Sequence, residues 1–72
     1  MEEINVKLEG QEFIPLVNLL KMTNAISSGG QIKMLLAEEL IQYNDTIAFQ
    51  KKKKCFAGDV IIVNNEVKIT VE

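Results

Sequence analysis

The chemistry open to this 72-residue chain comes from a short set of side chains. Its positive charge is carried by eight lysines and no arginine, and four of the lysines are consecutive, Lys51 to Lys54. Adjacent ammonium groups repel one another, so such a run either stays solvated as a surface loop or meets anions. The second group is Ser28, Gly29 and Gly30, with Lys33 one turn further on. The Ser-Gly-Gly run enters a helical pattern, although glycine is a poor helix former. A helix N-terminus carries unpaired N–H groups and a partial positive charge. Where side chains are missing, a phosphate can approach those groups closely. Two readings of Gly29 and Gly30 therefore stand side by side: an anion site, or a tight corner where glycine lets helices approach.

Catalysis has little to build on. Histidine, the commonest general base and metal ligand, is absent. One cysteine, Cys55, makes neither an internal disulfide nor a typical structural zinc site, and a lone cysteine fits a reducing compartment. Neighbouring lysines favour a reactive thiolate at Cys55. Without a partner base, however, it reads as a small, semi-buried strand residue. Glu38 and Glu39 are neighbours on a helix and point in different directions, so they are not a catalytic pair. "SGGQIKM" lacks the Gly-Lys-Ser/Thr ending of a nucleotide-binding loop. Asp59 follows Gly58 in a turn and calls for no further role. The expectation is a protein that is not an enzyme and has no cofactor or metal.

Net charge is −2, with Glu2, Glu3, Glu9 and Glu12 near the N-terminus and the lysine run far from them in sequence. This distribution predicts a polarised molecule with one basic edge. Hydrophobic residues make up 47%, too many for a disordered tail. No apolar run approaches the roughly 20 residues that span a bilayer. The acidic, alternating start does not read as a signal peptide. A cytoplasmic location without membrane attachment is expected, as is a monomer formed by a single domain over residues 1–72.

These residues need elements to hold them. Ile4, Val6 and Leu8 alternate with polar residues, predicting a strand over 3–8. Pro15 suits the first turn of a helix over 15–23, where its missing N–H costs nothing. Leu16, Leu19, Leu20 and Thr23 share one face of that helix, and Asn24 closes it. Ile32, Leu35, Leu36 and Leu40 form the stripe of a second helix. Ser28 and Gln31, three apart, predict a capping box at its start. A short loop joins the two helices into a helical hairpin. Ile41 and Tyr43 then alternate in a strand, "ND" at 44–45 turns, and residues 46–50 return. "AGD" at 57–59 turns into a β-branched strand at 60–63. "NNE" at 64–66 turns again, and Val67, Ile69 and Val71 alternate in a last strand. Phe13 and Phe56 read as core, Tyr43 as core or core edge rather than a base-stacking ring, and Phe49, nearer the lysines, as a surface aromatic with base stacking as its alternative. The order gives an α+β domain: an N-terminal strand, then a helical hairpin packed on a small, mainly antiparallel sheet.

The stretches "FIPLVNLLK" (13–21), "SGGQIK" (28–33), "LLAEELIQYND" (35–45) and "AGDVIIV" (57–63) carry a resemblance in their order and spacing. The chain resembles the RNA-binding domain named after ribosomal small-subunit protein S-four, also called the alpha-L RNA-binding motif. It is most similar to the small free-standing bacterial members of YbcJ/YaaA type. Many members carry glycine where Glu39 and Asp45 stand here. Larger members carry an arginine at the place of Gly29, so that contact does not transfer.

The resemblance implies a non-catalytic protein that binds structured RNA, ribosomal RNA or tRNA, by its phosphate backbone. The residues it points to are Lys21, Ser28, Gly29, Gly30, Lys33, Lys51, Lys52, Lys53 and Lys54. A ribosomal or assembly protein is a further partner on the same grounds. The negative net charge and missing arginines support an alternative, a protein–protein interaction module on the same fold with little RNA affinity.

Overall fold

The computed structural model describes residues 1–72. Strand β1 (Glu2–Val6) leads through a turn to a two-residue strand, β2 (Ile14–Pro15), which runs directly into helix α1 (Leu16–Met22). Helix α2 (Gly29–Ala37) follows, then β3 (Ile41–Tyr43), β4 (Thr46–Ile47), β5 (Lys54–Cys55), β6 (Val60–Val63) and β7 (Val67–Val71). A five-stranded sheet has the order β1-β7-β6-β3-β4, and β2 pairs separately with β5. Only β1–β7 is parallel, which sets the first and last strands side by side. The fold is α+β, as the pattern of the sequence predicts.

Alternation decides which face of the sheet is buried. Ile4 pairs with Ile69, Ile69 with Ile61, and Ile61 with Tyr43, in one row across four strands. Val6–Val71 and Val67–Val63–Ile41 form parallel rows. Against this face the helices bury Leu16, Leu19 and Leu20 from α1 and Ile32, Leu35 and Leu36 from α2. The helical stripes read from spacing are therefore the core stripes, except that Leu40 lies past the end of α2 and is half-buried.

Both helices stop in the same way. After α1, Asn24 turns left-handed (φ 61°), and the N–H groups of Asn24 and Ala25 donate to the carbonyls of Lys21 and Leu20. After α2, Glu39 does the same (φ 58°), with Glu39 and Leu40 donating to Leu36 and Leu35. This double bond pattern satisfies the last free carbonyls, and glycine is its usual left-handed residue. Glu39 performs it with a side chain in a region that disfavours one. Thr23 adds its hydroxyl to the carbonyls of Leu19, at 2.9 Å, and Leu20, at 3.2 Å.

The two predicted strand turns, at Asn44-Asp45 and Asn64-Asn65, have positive φ at both positions. Such turns match the natural twist of a hairpin. Four local expectations are corrected. The first strand ends at Val6, because Glu9 (φ 53°) and Gly10 (φ 91°) bend the chain into a turn. The return strand is only Thr46–Ile47, because Ala48 donates back to Ile41 and the chain then leaves the sheet. Pro15 is not inside α1: it is the extended residue before it (ψ 143°) and pairs with Lys54. Phe13 and Phe56 are not core, since their rings meet each other at 5.8 Å on the surface and Phe56 is 40% exposed.

Candidate nucleic-acid interface

The lysine run is not a loose loop. Lys53 N–H donates to the Gln50 carbonyl, closing a turn with Lys51 and Lys52 at its tip. The carbonyls of Lys53 and Lys51 accept from Leu16 and Val17, both at 2.8 Å. Those are the first N–H groups of α1, which otherwise lack partners. Lys54 and Cys55 then pair with Pro15 and Ile14. The main chain of the run is thus used to cap a helix and extend a strand, while all four lysine side chains are exposed. The run is thereby anchored at the positive end of the α1 dipole, whose field has the same sign as the lysine charges.

A single carboxylate ties this turn to the sheet. Asp59 accepts hydrogen bonds from the Tyr43 hydroxyl, from Phe56 N–H at 2.7 Å and from the Asn44 amide at 2.9 Å. Asn44 in turn accepts from Val60 N–H at 2.8 Å. Burial opposes ionisation of Asp59, but the bonds from Tyr43, Phe56 and Asn44, with the charge of Lys53, outweigh it and hold the carboxyl below its ordinary value. Tyr43 is pushed well above its ordinary value by burial and then by bonding to Asp59. The expectation that Asp59 has no role beyond its turn is corrected: it joins the segment after the lysines to β3 and β6. The sequence signal was faint, an Asp after Gly58, where the resembling family has Asp or Gln, both able to accept hydrogen bonds.

Cys55 is fully buried, and burial, followed by the Asp59 charge, pushes its thiol up to about 12 against the opposing pull of Lys53. It stays a neutral thiol in the core, so the reactive thiolate favoured by neighbouring lysines does not form.

The last two lysines of the run lie over different rings. Lys53 Nζ lies over the Tyr43 ring, 5.0 Å from its centre, and Lys54 Nζ over Phe13 at 4.9 Å. Cation–aromatic contacts of this kind hold two of the four charges in place. Lys51 and Lys52 extend from the tip. Phe49 is 68% exposed beside them.

The other predicted group lies at the start of α2. Ser28 is the extended residue before the helix, but its hydroxyl makes no capping bond. The predicted box is shifted by one residue: Gln31 Oε1 accepts from the Ser27 N–H at 2.8 Å and the Ser27 hydroxyl at 3.1 Å. The N–H groups of Gly29 and Gly30 have no partner within the protein. A Cβ on Gly29 would meet nothing within 4 Å, and one on Gly30 would meet only the Ser28 hydroxyl, at 3.9 Å. Neither glycine has a positive φ. Tight packing therefore does not explain the glycines, and the close-corner reading is corrected. What remains is an exposed helix start with two free donors. Lys33, on the same face as Gly29 at i+4, is also exposed.

The predicted residues thus form two groups. Lys51 to Lys54 gather around the start of α1, while Ser28, Gly29, Gly30 and Lys33 gather at the start of α2. No hydrogen bond joins the two groups. Lys21 sits in the last turn of α1, about 7.5 Å along the axis from Leu16, where it complements the helix dipole. No helix is long and apolar enough to cross a membrane.

The fold is an α+β domain that carries its lysine run at the start of α1 and two free N–H groups at the start of α2. A model of the S4 domain matches residues 6–72, nearly the whole chain. The chain belongs to the S4 domain family, whose members are generally RNA-binding and non-catalytic. No curated protein gives a match to it.

Proposed function

We propose that this chain is a non-catalytic module that binds structured RNA through its phosphate backbone. Lys51, Lys52, Lys53 and Lys54 supply most of the charge. Gly29 and Gly30 offer main-chain donors to a second phosphate, bordered by Ser28 and Lys33, and Lys21 at the end of α1 adds to the basic surface. The observation that carries this reading is the lysine turn, whose main chain is consumed by capping α1 while its four side chains face solvent. Ordering the main chain of the run and the Lys53 and Lys54 ammonium groups before a ligand arrives lowers the entropy lost on binding.

The contacts are sequence-independent, because lysines and helix starts grip phosphates and leave base edges unread. A-form RNA is read in this way, by shape, phosphates and 2′-hydroxyls. Ribosomal RNA and tRNA are the proposed classes, bound by a monomeric single domain in the cytoplasm, with a ribosomal or assembly protein as a further partner. The test is binding of a hairpin RNA and of duplex DNA of equal length over a series of salt concentrations. The proposal expects RNA to bind more tightly and both affinities to fall steeply with salt. The second reading, a protein-interaction module, draws on the exposed Met22 and Met34 on the two helices and the net charge of −2. It gains if neither nucleic acid binds at low salt.

A further inference from the structure

A groove of about 250 Å³ opens beside the lysine turn, lined among others by Tyr43, Thr46, Phe49, Gln50 and Lys53. Two of its walls, Gln50 and Lys53, are the residues that close the turn, and the exposed Lys51 and Lys52 are the two residues of the turn between them. Tyr43 is already engaged: its hydroxyl donates to Asp59 and its ring carries the Lys53 ammonium. Phe49 is different. It is the most exposed large apolar side chain of the molecule, at 68%, and no other ring or ammonium group is placed on its face. Gln50 adds an amide with both donor and acceptor ability. A free aromatic face, an amide edge and two unengaged cations within one turn match the parts of a single nucleotide: base, base edge and flanking phosphates.

Resting on the RNA reading above, we infer that this groove receives one unpaired base of the bound RNA, stacked on Phe49, with its neighbouring phosphates on Lys51 and Lys52. A paired base is held inside the helix and cannot reach the ring, whereas a bulged or loop base can be splayed out onto an aromatic side chain. The lysines then grip any structured RNA, and Phe49 selects those with a base to give.

The test uses a hairpin RNA with one bulged 2-aminopurine and the same hairpin fully paired, each titrated with the full chain. The expected result is tighter binding of the bulged RNA, with its fluorescence quenched as the base stacks. Phe49→Ala should weaken the bulged RNA about tenfold, within the usual range for loss of one base–aromatic stack, and leave the paired RNA unchanged. Unfolding curves of Phe49→Ala should overlay wild type, because the ring is exposed. Equal loss on both RNAs, or no quenching while salt-sensitive binding persists, overturns the base site and spares the backbone reading. Wild type that binds neither RNA overturns both. Concentration-dependent dimerisation that Phe49→Ala abolishes would assign the groove to a second copy and also overturn the inference.

Discussion

At the start of α2 two main-chain N–H groups are free and one lysine stands nearby, whereas at the start of α1 the first two N–H groups are taken by carbonyls of a run of four exposed lysines. One region offers donors with little charge. The other offers charge, with its first two donors already taken. The difference follows from what precedes each helix. Pro15 enters α1 from a strand paired with β5, and the lysine turn that leads into β5 caps the helix. Ser28 enters α2 from an open connection, and the only side chain that reaches back is Gln31, which bonds Ser27 and leaves Gly29 and Gly30 bare. A phosphate-binding surface divided in this way separates affinity, which charge supplies, from position, which directed N–H groups supply.

The comparison breaks most visibly at Asp59. Asp59→Ala leaves the Phe56 N–H and the Asn44 amide without their acceptor, and leaves the Tyr43 hydroxyl only the Lys54 carbonyl at 3.3 Å. A loss of about 1–3 kcal/mol in chemical denaturation is expected, the range for removing one partner of a satisfied polar group. The effect should fall on the lysine side of the molecule, so amide exchange should rise near residues 50–56 and not at the start of α2. The same carboxyl gives a pH signature. Its folded value lies below the ordinary 3.8, so its contribution is full above that pH and is lost as pH falls through the folded value. In Asp59→Ala this acid limb of the stability curve should flatten.

The next effect is on binding alone. Lys51→Ala with Lys52→Ala keeps the carbonyl that caps Val17, so the fold should hold. Affinity for structured RNA should drop about tenfold at low salt, and the log–log salt slope should become shallower by roughly 1.4–1.8, the value for two lost phosphate contacts. Glu39→Gly affects neither group of basic residues. It relieves a left-handed side chain at the end of α2 and should stabilise the protein by about 1 kcal/mol with RNA binding unchanged. Gly30→Ala sharpens the comparison with the smallest change. Nothing crowds the new methyl group, so stability should rise by about 0.5 kcal/mol, since alanine is the better helix residue. RNA affinity should nevertheless fall by a few fold, because the methyl covers a free N–H.

Much of this was legible in the residues. Period two found the sheet rows from Ile4 to Ile69, period 3.6 found the leucines of both helices, and paired Asn and Asp residues marked the turns. The motifs of the S4 domain stood in order. What was not legible depended on contacts between distant segments. Capping of α1 by Lys51 and Lys53 joins residues more than 30 positions apart, and no local pattern announces it. Asp59 looked like an ordinary turn residue because its partner Tyr43 is 16 positions away. Hydrophobicity alone points Phe13 and Phe56 to the core, but the buried core is filled by aliphatic side chains and Cys55, and the two rings cover each other beside Lys54.

The most direct test of the central claim is the salt dependence of wild-type binding to a structured hairpin RNA. Four engaged lysines predict a straight line of log affinity against log salt with a slope of roughly −3, from about 0.7–0.9 per phosphate contact. A flat line, or no binding at low salt, would contradict the account.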